Sequence, residues 1–179
     1  DAGDIVVLNK GTITLTAHNT INNAGDFYTN EGNIVLSGNK GIVNGTDSIT
    51  RYSSGLIEAS DGNILLQSEN GFIDNLAGAD LLTGNGNVTI QAQSNINNAG
   101  DLMALNGTIT LLSTNGNVIN SDDFNTLVEQ SLTNNSVEEV SKYNRHYVNS
   151  NLDTAVSGIA IATGNILLSA ENGMLTNNK

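Results

Sequence analysis

Four aspartates, Asp4, Asp26, Asp80 and Asp101, return at the same point of a repeated phrase. A regular row of carboxylates could hold a hard cation such as calcium or the hydroxyls of a sugar. No further oxygen-bearing position repeats with them, so the favoured role is structural, each Asp accepting backbone N–H groups in its turn. A second group, Lys142, Tyr143, Arg145, His146 and Tyr147, is the basic cluster of the chain. Tyr and Arg are favoured at protein interfaces. Tyr143 and Tyr147 also stand at i and i+4, so packing of one helical face is the competing role. A third group comprises Asp47, Arg51 and Tyr52. Sugar-bond hydrolysis needs a carboxylate pair about 5 to 10 Å apart with a floor for the substrate. Outside the basic cluster the cationic partners are Lys10, His18, Lys40 and Arg51, scattered along the chain. A polysaccharide lyase or hydrolase, or a carbohydrate-binding module, is therefore the alternative reading rather than the leading one, and no catalytic residue, metal ligand or cofactor is assigned.

Composition narrows the classes further. The 179 residues carry 6 Lys plus Arg against 18 Asp plus Glu, for a formal net charge of −12. That balance excludes a phosphate-backbone binder, which needs clustered cations. No run approaches the roughly 20 apolar residues of a membrane span, so no membrane insertion by this segment is expected. Cysteine is absent, which removes disulfides, thiol nucleophiles and thiolate metal sites. Asn is the commonest residue, Gly occurs 19 times and proline not at all. Such a chain must take its order from repetition.

The repeat is explicit. Gly-Thr-Ile-Thr-Leu opens at Gly11 and Gly107, Gly-Asn-Ile-Val-Leu at Gly32, Gly-Asn-Ile-Leu-Leu at Gly62 and Gly164, and Gly-Asn-Val-Thr-Ile at Gly86. Those glycines are 21, 30, 24, 21 and 57 residues apart, a unit of about 21 residues with insertions. Within the phrase the aliphatic residues alternate, which is the period of a strand with one buried face. The inward positions are Ile13, Leu15, Ile34, Leu36, Ile64, Leu66, Val88, Ile90, Ile109, Leu111, Ile166 and Leu168.

Two more short runs follow in each unit, giving three strands and three corners per coil of about 21 residues. Asn23, Asn44, Asn75, Asn98, Asn120 and Asn177 fall at one corner, within a residue of register. Stacked about 4.8 Å apart, their amides would form a ladder. Leucine-rich repeats would carry a longer leucine signature, and a calcium-binding roll would carry Gly-rich nonapeptides; neither is present. An antiparallel barrel would not need the same corner residue in every coil. The expected fold is a single all-β domain over 1–179, a right-handed parallel β-helix.

Gly-Asn-Ile-x-Leu, then Asn-Ile-Asn-Asn-Ala-Gly-Asp-Leu, then Ala-Leu-Asn-Gly-Thr-Ile-Thr-Leu resembles the haemagglutinin repeats of filamentous haemagglutinin and of contact-dependent growth inhibition exoproteins. The resemblance covers residues 1–120 and 156–179. It implies a Gram-negative two-partner secretion protein, exported through an outer-membrane secretion partner and displayed on the bacterial cell surface. It also implies a role in adhesion to a host or neighbouring-cell receptor, or in delivery of a distal toxin, as a monomeric filament.

Two stretches depart from the repeat. Residues 46–54 are a short loop insertion. Over 121–155, Phe124, Leu127, Val128 and Leu132 recur with helical spacing, and Ser136 to Glu139 reads as a capping box before Val140, Tyr143, Tyr147 and Val148. A helical hairpin set on the coil is expected there. Both insertions leave just after a corner Asn, Asn44 or Asn120, and so from the same edge. Incubation with pectin or alginate is expected to leave the polymers intact. Release of new chain ends, lost in Asp47→Ala or Arg51→Ala, would establish an enzyme instead.

Overall fold

The computed structural model describes residues 3–46, 55–121, 160–162 and 164–178. The 46–54 and 121–155 insertions fall outside these residues, apart from Thr46 and from Ser121, which ends a strand. The expected helical hairpin therefore lies outside the described residues, and among the described residues there is no helix.

The chain winds through six coils of three strands each. These are β1 (Ile5–Lys10), β2 (Ile13–Ala17) and β3 (Thr20–Asn23); β4 (Phe27–Glu31), β5 (Ile34–Gly38) and β6 (Gly41–Asn44); and β7 (Ile57–Asp61), β8 (Ile64–Ser68) and β9 (Phe72–Asn75). They continue as β10 (Leu81–Thr83), β11 (Val88–Ala92) and β12 (Ile96–Asn98); β13 (Leu102–Ala104), β14 (Ile109–Ser113) and β15 (Val118–Ser121); and β16 (Ala160–Ala162), β17 (Ile166–Ala170) and β18 (Leu175–Asn178). Every third strand joins the same sheet, so three parallel sheets of six strands run the length of the molecule. This is a parallel β-helix. Each strand is short because the path must turn after four or five residues to close the coil.

Register follows like with like. Ile13, Ile34, Ile64, Val88, Ile109 and Ile166 form one column of the sheet led by β2, and Leu15, Leu36, Leu66, Ile90, Leu111 and Leu168 form the next. The facing sheets add the column from Ile21 to Val118 and, opposite, Phe27, Ile57, Leu81 and Leu102. Together they fill one continuous core. Ile34, Leu36, Ile64, Leu66, Val88, Ile90, Ile109 and Leu111 are wholly buried, and Ile13 nearly so. Leu15 and Leu168 are partly buried and pack against that core.

Ile166 differs from the other inward positions in its exposure. It keeps register with Ile109, yet it is 46% exposed. It sits on β17, whereas Ile13 on β2, the strand at the opposite side of the same sheet, is buried.

Leu111→Ala is therefore expected to cost about 2–5 kcal/mol, and Ile166→Ala markedly less. Urea denaturation of the two variants checks the contrast. Equal losses would mean that β17 is covered as fully as β14.

Candidate functional site

The corner between the β3-led sheet and the β1-led sheet gathers the most specific chemistry of the fold. There the last inward residue of β3, β6, β9, β12, β15 and β18 is always Asn. Asn23 Nδ2 donates to Asn44 Oδ1 at 2.7 Å, and Asn44, Asn75 and Asn98 each donate to the next Oδ1 at 2.8 Å. Asn120 donates likewise to Asn177 at 2.8 Å. Asn23 through Asn120 are buried. A buried amide is tolerated only when both its donor and its acceptor sides are satisfied, and here the coil above and the coil below satisfy them.

The second proton of Asn44, Asn75 and Asn98 has a separate use. Asn44 Nδ2 donates to the Gly55 carbonyl at 2.7 Å, Asn75 Nδ2 to that of Ala79 at 2.7 Å, and Asn98 Nδ2 to that of Gly100 at 2.8 Å. These carbonyls belong to the point where the chain enters the next coil. One side chain thus pins the base of a corner loop whatever the loop length, spanning separations of 11, 4 and 2 residues. Gly45 and Gly55 flank the described edges of the 46–54 insertion with φ of 102° and 89°, a left-handed geometry that glycine adopts without strain. The ladder puts Asn44 and Asn120 in one column three steps apart, about 14 Å at 4.8 Å per coil. The two insertions therefore depart from one edge.

The aspartate row lies beside this ladder. Asp4 Oδ1 accepts from the Asp26 N–H at 3.1 Å, Asp26 Oδ1 from the Leu56 N–H at 3.1 Å, and Asp80 Oδ1 from the Asp101 N–H at 3.2 Å. Each carboxylate caps the strand start of the following coil. Leu56 takes the place of an Asp in this column and is wholly buried. Among the described residues no three His, Cys, Asp or Glu side chains are grouped to hold a metal ion.

Asp47, Arg51 and Tyr52, like Lys142, Tyr143, Arg145, His146 and Tyr147, lie outside the described residues. Of the scattered cations, Lys10 pairs with Glu31 at 3.2 Å on the open surface, where such a pair contributes little.

Two features escaped the sequence reading. The Asn after each repeat Gly forms an exterior ladder, with Asn63 and Asn87 bonding through backbone and side chain to the preceding Oδ1 and Thr108 closing the row. Its signal was the residue after each repeat Gly, which is always Asn or Thr. The second is a polar group on the outer face, where the Ser60 hydroxyl lies 3.4 Å from both Tyr28 Oη and Glu58 Oε1. Only the three-dimensional stacking of β4 on β7 brings these three together.

The chain matches no family model, no curated protein and no solved structure.

Asn75→Ala would orphan one Asn44 proton, the Asn98 oxygen and the Ala79 carbonyl at once. At about 1–3 kcal/mol per buried unsatisfied group, the expected loss is several kcal/mol, whereas the exposed Asn63→Ala should cost about 1 kcal/mol or less. Thermal melting of the two variants decides, and a negligible loss for Asn75→Ala would leave the ladder without a stabilising role.

Proposed function

We propose that this chain is a structural stalk segment of a large secreted surface protein of a Gram-negative bacterium, one that serves adhesion or holds a distal receptor-binding or toxin-bearing region away from the cell. The observation that supports this reading is the amide ladder from Asn23 to Asn177, buried from Asn23 to Asn120. A ladder of this kind makes each coil the template for the next, so length is extended without any new core being invented. The repeated chemistry of the corner is spent on stacking and on pinning loops. In the haemagglutinin-repeat resemblance, the outer-membrane secretion partner exports such a chain, and the receptor is met by regions that the stalk carries.

A spacer and a binding element differ in what replaces them. Deleting this chain from its parent protein is expected to lower adherence or target-cell inhibition, and an unrelated rigid rod of equal length should restore it at equal surface display. Failure of the rod, together with restoration by this chain alone, would show that the chain itself makes the contact.

A further inference from the structure

Six Asn-Gly pairs occur in the sequence, at Asn44, Asn70, Asn85, Asn106, Asn115 and Asn172. Asn followed by Gly is the pair most open to attack of the following backbone nitrogen on the side-chain amide, because glycine sets no side chain in the way. The fold treats these pairs unequally. Asn44 is buried with both amide protons engaged, and the Gly45 N–H donates to the Asn23 carbonyl at 2.8 Å. Asn115 is exposed, but the Gly116 N–H donates to Ser113 Oγ at 2.9 Å. Both attacking nitrogens are held.

Asn85 is placed differently. It is exposed, lies in a bend, and has glycine on both sides, Gly84 and Gly86. Among the described residues the Gly86 N–H meets no backbone acceptor. Asn106 Nδ2 donates to Asn85 Oδ1 at 2.9 Å, which draws electrons from the carbon to be attacked. One coil earlier the equivalent pair is Asp61-Gly62, and a Cβ added to Gly86 would strike the Gly62 carbonyl, so the two pairs stack. A carboxylate is thus already accommodated in this column, paired in register with Glu31.

From this geometry we propose that Asn85 is a self-modification site, deamidating spontaneously in the folded protein to extend the acidic edge Glu31–Asp61. The Gly86 nitrogen gives its proton to solvent and bonds to the Asn85 side-chain carbon. The bond from that carbon to Nδ2 breaks, and ammonia leaves with a proton from solvent. Water then opens the cyclic imide at either carbonyl, giving Asp or isoaspartate. The net change is amide plus water to carboxylate plus ammonium, with no oxidation or reduction. The product keeps an oxygen for Asn106 Nδ2 to donate to, now as a charge-assisted bond, and the chain becomes one unit more acidic than its formal −12. At Asn44 the same change would put a carboxylate oxygen against the Gly55 carbonyl and the Asn75 oxygen in a buried corner, which the ladder resists.

The test is peptide mapping by mass spectrometry after ageing the folded chain in warm, mildly alkaline buffer. Asn85 is expected to convert at least about tenfold faster than Asn44 and Asn115, whose reaction must wait for local opening. In urea the three rates should converge. Asn106→Ala, an exposed change, is expected to slow Asn85 several-fold and leave the other two unaltered. Asn85→Asp should fold with the parent melting temperature and co-elute on ion exchange with the Asp form of the aged protein. Asn44 or Asn115 keeping pace with Asn85 in the folded chain would overturn the proposal, as would an Asn85→Asp chain that melts early.

Discussion

A buried primary amide has two protons and a carbonyl oxygen to satisfy, and here the neighbouring coils satisfy them. That constraint organises the molecule. An Asn at the end of β6 cannot be satisfied within its own coil alone, because its oxygen needs Asn23 below and one proton needs Asn75 above. The coils must therefore stack in register to within a fraction of a residue. A slip of one residue would turn every ladder amide outward and every aliphatic column with it. The aliphatic core supplies most of the burial, and the ladder makes that burial specific to a single alignment.

The same amide explains why the chain tolerates insertions at this corner and keeps the others tight. Its second proton grips the carbonyl at which the next coil begins, so the loop between is closed at its base by a bond that ignores what lies outside. Once the ends are held, lengthening a loop costs little, about 0.6 kcal/mol per doubling. The other corners are held by hydroxyls instead, Thr29 and Thr83 donating to the Gly11 and Gly62 carbonyls and Ser113 accepting from the Gly116 N–H. There the glycines stack so closely that Gly32, Gly62 and Gly86 would each drive an added Cβ into the backbone of the coil before.

Much of this was legible in the sequence because a solenoid writes its contacts at a fixed interval. The aliphatic pairs of each phrase and the six corner asparagines could be aligned by counting, and the hydrogen bonds join the asparagines in the order of that alignment. The aspartate row carried an equally local signal, a turn acid before β1, β4, β10 and β13. Ile166 matches Ile109 in type and phase and is its register partner, though the two differ in exposure, which the count of residues does not record. The Tyr28, Ser60 and Glu58 group was invisible for another reason. Its members are separated by an insertion that breaks the count, and only the pairing of β4 with β7 restores it. The residues named as binding candidates from their chemistry fall in the insertions, where the repeat offers no template to read against.

The ladder also has a direction. From Asn23 to Asn177 every ladder amide that donates along the row donates toward the later coil. Backbone bonds between the coils run both ways, as with the Ile5 N–H to the Asp26 carbonyl and the Asn39 N–H to the Ala17 carbonyl, so their dipoles largely cancel. The exterior rows, where Asn63 donates back to Asn33 and Asn106 to Asn85, point the opposite way but stand in water. In the low-dielectric interior the amides form one file of parallel dipoles, each polarising the next, opposed only in part by the hydroxyls of Thr29, Thr83 and Ser113, which donate back to earlier coils. The rod therefore carries an electrical axis of its own, positive toward its later coils, independent of any ionised group and unaltered by salt or pH acting on the surface.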